Sequence, residues 1–132
     1  MTEFTTRQLP AEPDVTAPDG SDVRILLELT GGGMAHFELA PGETSIAVAH
    51  KTIEEIWYII SGQGEMWRKQ AGREEIVPLE PGTSLTIPQG TQFQFRALNG
   101  EPLKAVAITM PPWPGDDEAY HVRGKWEPTI QI

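Results

Sequence analysis

His50 is followed by two adjacent carboxylates, Glu54 and Glu55, in a stretch of short apolar segments. An imidazole and a carboxyl group brought together can pass a proton to and from a bound molecule, the basic equipment of general acid–base catalysis. Proton transfer beside a carbonyl or a sugar carbon needs no more than such a positioned acid and base. The same groups can ligate a divalent metal, but a catalytic metal site normally takes three protein ligands with water in the fourth position. Two further imidazoles, His36 and His121, can supplement them only if the fold brings one near. His36 shares a strand parity with Met34 and Glu38 and is expected on a strand surface. His121 follows Tyr120 near the end of the chain and is expected in solvent. The chain has no cysteine, which excludes disulfides, thiolate metal sites and a cysteine nucleophile.

Short strands have to position these groups. Thirteen glycines and twelve prolines punctuate the 132 residues, which argues against long helices. Strands are predicted over 23–29, 34–39, 44–49, 55–60, 64–69, 74–79, 83–87, 91–97 and 103–110. Turn chemistry separates them, as at Pro41-Gly42, Ser61-Gly62, Pro81-Gly82 and Asn99-Gly100. Even spacing of this kind implies an antiparallel sandwich or barrel. Parity places Ile46, Val48 and His50 on one face of their strand. In the next strand Glu55, Trp57 and Ile59 share one face, and Glu54, Tyr58 and Ile60 the other.

Two Pro-Gly framed segments carry a family resemblance. The first holds Pro41-Gly42, His50, Glu54-Glu55 and Gly62, and the second Pro81-Gly82, Pro88, Gly90 and Phe93. Together they resemble the two motifs of the cupin family. There the first reads glycine, five residues, His-x-His, three or four residues, glutamate, six residues, glycine; the second reads glycine, five residues, Pro-x-Gly, two residues, histidine. This resemblance selects Glu55 as the inward carboxylate, because six residues separate it from Gly62. It implies a double-stranded β-helix, or jelly-roll, barrel of antiparallel sheets. Of the family's four metal-ligand positions, His50 and Glu55 keep theirs, while Val48 and Phe93 replace histidines. The implied metal site is thus degenerate: a zinc, nickel, manganese or iron ion would rest on His50 and Glu55 alone and be weakly held. Redox iron chemistry is the least expected, since it requires a facial triad of ligands.

The second segment admits two registers. In one, Phe93 and Phe95 give the barrel a dry aromatic wall; in the other, a bulge turns Gln92, Gln94 and Arg96 inward. Gln92 would then take the ligand position, and Arg96 would clamp a carboxylate or phosphate. The candidate ligand pocket accordingly comprises Ile46, Val48, Trp57, Gln92, Phe93, Phe95 and Arg96.

Composition divides the chain into an extended arm over 1–22, a barrel over 23–110 and a Pro- and Trp-rich tail over 111–132. Trp113, Tyr120, Trp126 and Ile130 in that tail need a surface, either this barrel or a second copy. Small cupins commonly dimerise, so the resemblance implies a homodimer. The acidic triplet 116–118 is expected to be a solvated turn or a charge at a helix start. A net charge of −9 with ten Lys and Arg residues makes nucleic acid an unexpected partner. No apolar run approaches the roughly 20 residues of a membrane helix, and the first residues lack a signal-peptide pattern, so no membrane contact and a cytoplasmic location are expected. The expected function is that of an isomerase, epimerase or lyase acting on a small polar molecule, sugar-like or carboxylate, through His50 and Glu55. The alternative is a non-catalytic barrel that binds a small ligand.

Overall fold

The computed structural model describes residues 2–130. Eleven strands make two antiparallel sheets. The six-stranded sheet has the order β1 (Val15–Thr16), β2 (Asp22–Leu29), β3 (Gly32–Leu39), β10 (Leu103–Met110), β5 (Glu54–Ser61), β8 (Ser84–Ile87). The five-stranded sheet has the order β11 (Ala119–His121), β4 (Val48–His50), β9 (Gln92–Leu98), β6 (Gln63–Gln70), β7 (Arg73–Leu79). One 3-10 turn, Asp116–Glu118, precedes β11. No helix among the described residues is long and apolar enough to cross a membrane.

Alternation builds the core. β5 buries Glu55, Trp57 and Ile59 and exposes Glu54, Ile56, Tyr58 and Ile60. From the facing sheet Phe93, Phe95 and Ala97 of β9 meet Trp57 and Ile59 in one apolar cluster with Met66, Leu79 and Ile87. Trp57 is its hub: Phe37 stacks on it at 5.4 Å and 5°, and Phe95 and Phe93 meet it edge-on at 5.0 and 6.2 Å. Gly62 turns β5 into β6 with φ 84°, and a Cβ there would collide with the Pro102 carbonyl oxygen, so both conformation and space demand glycine.

The structure departs from the sequence reading in two places, at the start of β4 and in the N-terminal arm. The strand expected over 44–49 begins only at Val48; Thr44 makes an isolated bridge to Arg96, and 45–47 run irregularly. Their backbone groups pair instead with chain ends, Ile46 N–H to the Asp19 carbonyl at 2.8 Å and Val122 N–H to the Ala47 carbonyl at 3.0 Å. Both ends therefore join the barrel. Residues 15–16 of the expected arm pair with β2, and 17–21 form a closed turn whose Asp19 is buried, while residues 2–9 stay exposed. The tail lies along the outside of β4 and β9, and its own β11 pairs with β4.

Candidate functional site

Glu55 and His50 face each other across the barrel. Glu55 projects inward from β5, and His50 ends β4, held by the Gly90 N–H on its carbonyl at 3.1 Å. His50 Nδ1 lies 3.7 Å from Glu55 Oε1, beyond hydrogen-bond reach, and this buried nitrogen has no partner. The other carboxyl oxygen, Oε2, accepts the Trp57 indole N–H at 2.5 Å. Phe93 and Trp113 meet the imidazole edge-on at 5.3 and 5.4 Å. The pair sits in a cavity of about 230 Å³ whose walls also include Phe37, Val48, Trp57, Phe93 and Thr109.

Burial decides the charge state. Loss of solvation pushes the Glu55 carboxyl up to about 8, with the nearby Asp19 acting in the same direction and the Trp57 N–H opposing it. Burial likewise lowers His50 to about 4 against the favourable charge of Glu118. At neutral pH the pair is therefore an uncharged acid facing an uncharged base. Because Oε2 accepts from Trp57, the acidic proton belongs on Oε1, the oxygen that faces His50.

Of the sequence candidates, Val48, His50, Glu55, Trp57 and Phe93 line this cavity together. The others do not. The β6–β9 ladder runs without a shift from Gln63↔Leu98 to Lys69↔Gln92, so Phe93 and Phe95 point inward and Gln92, Gln94 and Arg96 outward. Phe95 packs behind Trp57 in the core rather than on the cavity wall. Arg96 is engaged outside by Glu65, Nε to Oε1 at 2.9 Å, and its guanidinium lies 4.2 Å above the Trp126 ring. Gln94 is buried on that outer side because the tail covers it: its amide bonds the Ser45 and Trp126 carbonyls and the Trp126 N–H. Gly124 is pressed against Gln94 and Ala47 where no Cβ would fit. Ile46 is half-buried, away from the cavity, because its segment is not yet a strand. His36 is buried on the outer side of β3 among Arg24, Glu38 and Lys104. His121 is exposed, its Nε2 3.1 Å from the Pro18 carbonyl oxygen.

Sequence reasoning missed Asp19, Thr109, Trp113 and Glu118. Asp19 lines the cavity and accepts the Ser21 N–H and hydroxyl at 2.9 and 2.6 Å; burial raises its carboxyl and those bonds oppose the rise. Glu118 is not a solvated charge. It accepts the N–H groups of Thr52 and Ile53 at 2.7 and 3.2 Å and the Thr52 hydroxyl, fixing the turn between His50 and Glu55. Burial raises its carboxyl, but these bonds outweigh that and hold it low. Asp117 is exposed, and the side chain of Asp116 lies outside the described residues. The available signal for Trp113 and Glu118 was their setting, a costly tryptophan and an acidic run in a tail without periodicity.

The donor set does not fit a resident metal. The positions implied for its ligands hold Val48, His50, Glu55 and Phe93, and one carboxyl oxygen of Glu55 is taken by Trp57. Among the described residues no group of three His, Cys, Asp or Glu side chains stands close enough to hold an ion.

The cupin domain family model matches residues 35–109. The uncharacterized protein MJ1618 of Methanocaldococcus jannaschii is 29% identical over 104 residues, covering 75% of this chain and 80% of the relative. Among solved structures, a conserved Klebsiella pneumoniae protein with a double-stranded β-helix domain superposes with a TM-score of 0.64 at 17% identity, over 88% of this chain and 84% of that one. A variant of Streptomyces PAC13 with uridine superposes with a TM-score of 0.68 at 16% identity, over 90% of this chain and 92% of that one. With both motifs inside the matched segment and the double-stranded β-helix around them, the chain belongs to the cupin family.

Proposed function

We propose that this cupin processes a small molecule by metal-independent acid–base chemistry, as a lyase or isomerase, with His50 as base and Glu55 as acid. The carrying observation is the unbonded His50 Nδ1 standing 3.7 Å from the Glu55 carboxyl in an apolar cavity. Two uncharged groups of opposite function are the starting state such chemistry needs. In a dehydration, Nδ1 takes a proton from a carbon beside a carbonyl, the C–H electron pair becomes a C=C bond, and the C–O bond on the next carbon breaks. The departing hydroxyl leaves as water with the proton from Glu55 Oε1. The site then holds an imidazolium and a carboxylate, and burial drives the proton back from one to the other. Delivery of the Glu55 proton to carbon instead would give isomerisation or epimerisation. PAC13 is described as a nucleoside dehydratase, a precedent for elimination on this fold that at 16% identity lends architecture and not activity.

The test is turnover of a panel of β-hydroxy carbonyl compounds by the wild type, His50→Gln and Glu55→Gln. Each variant is expected to lose at least about 100-fold in kcat, the usual contribution of one acid or base. Full turnover in both variants overturns the proposal. The apolar cavity supports the second reading, a non-catalytic binding barrel, in which the variants change affinity alone.

We propose also that the protein is a homodimer. The outer face of the six-stranded sheet presents exposed Ile56, Tyr58 and Ile60 beside Val106 and Ile108 of β10. Light scattering is expected to give twice the chain mass, and a monomer mass would refute it.

A further inference from the structure

The charge of the cavity wall restricts what can enter. Among the described residues no lysine or arginine lines the cavity, whereas Asp19, Glu28 and Glu55 do. The nearest strands turn their basic groups outward, where Arg24 pairs with Glu38 and Arg96 with Glu65. An anion entering would shed its hydration without a counter-charge and meet carboxyl groups instead. A cation meets a different wall, since Ser21 occupies only Oδ1 of Asp19 and the exposed Glu28 also lines the cavity. The walls offer flat apolar surfaces: the stacked Phe37 and Trp57, and Phe93 edge-on to Trp57. Of the lining residues, Ile25, Leu27 and Met34 are exposed, and the β2–β3 register shifts between Ile25 and Glu28.

We infer that the cavity takes an organic molecule without negative charge, with a flat apolar body and one carbonyl or hydroxyl end seated between His50 and Glu55, and that it discriminates against carboxylates and phosphates of the same shape. The placement of the polar end rests on the acid–base reading; the charge selection rests on the wall alone.

The test compares benzamide and benzoate at pH 7, following the Trp57 indole N–H signal by NMR. Benzamide is expected to shift that signal with a Kd at least ten-fold below that of benzoate. Benzoate binding as tightly as benzamide overturns the inference, and so does benzamide leaving the Trp57 signal unmoved. A wild type that prefers benzoate sinks this inference and leaves the acid–base reading standing. Full turnover by His50→Gln and Glu55→Gln does the reverse.

Discussion

His50 Nδ1 and Glu55 Oε1 stand 3.7 Å apart, both buried, one without a hydrogen-bond partner and the other bearing the proton of a neutral acid. Carbon-13 NMR of the glutamate carboxyls is expected to show one group titrating near 8, and the His50 ring is expected to stay neutral down to about 4. Turnover should then be flat between those values and fall outside them. A Glu55 midpoint at the ordinary carboxyl value would leave a carboxylate facing a neutral imidazole, with no acid in the pair, and would overturn the assigned roles.

Stability should follow the same two groups. The folded state keeps the Glu55 proton up to about 8, above the ordinary 4.5, so stability falls as pH rises through that window. His50 acts oppositely, since its folded value of about 4 lies below 6.5 and stability falls as pH drops between them. Above 6.5 Glu55 acts without that offset. Urea denaturation is expected to show a decline of up to about 1.4 kcal/mol per pH unit between pH 6.5 and 8. Glu55→Gln should flatten most of it; an unchanged slope in that variant would place the titrating group elsewhere.

Trp57→Phe removes the N–H that favours the Glu55 carboxylate. The Glu55 midpoint should move further up in the NMR titration, at a cost of about 1–2 kcal/mol for the lost volume beside Phe37. A downward move would show that the indole is not the group restraining the rise.

Glu118→Ala leaves the Thr52 and Ile53 N–H groups without their acceptor. A loss of about 2 kcal/mol is expected. Because the turn they cap carries His50 toward Glu55, kcat should fall while the affinity for benzamide changes little. Equal loss in both would make Glu118 a purely structural residue.

Elemental analysis of protein purified without chelator is expected to return well below one divalent ion per chain, given the two-ligand donor set. A value near one would mean that groups outside the Val48 and Phe93 positions complete a site, and would redirect the mechanism to the metal.

Much of the barrel was legible in the residues. Alternation and Pro-Gly turns marked every strand from β2 to β10, because a half-buried strand writes its two faces into its own sequence. β4 is shorter than the pattern over 44–49 implies, and β1 and β11 leave no mark in the sequence, since two- and three-residue strands carry no period to detect. The sequence by itself determined the shared parity of Glu55 with Trp57 and of His50 with Val48, which are local properties. The resemblance to the cupin motif, through the spacing of Glu55 to Gly62, implied that His50 and Glu55 meet. Tertiary structure decided the rest. Whether the pair is charged depends on how completely Trp57, Phe93 and Trp113, from three separate segments, exclude water from it. Whether Arg96 serves the cavity was settled by an unbroken ladder with β6 and by a tail that covers the outer side of β9. Such contacts join residues far apart in the chain, and desolvation is a property of the enclosure they make, which no single stretch of sequence contains.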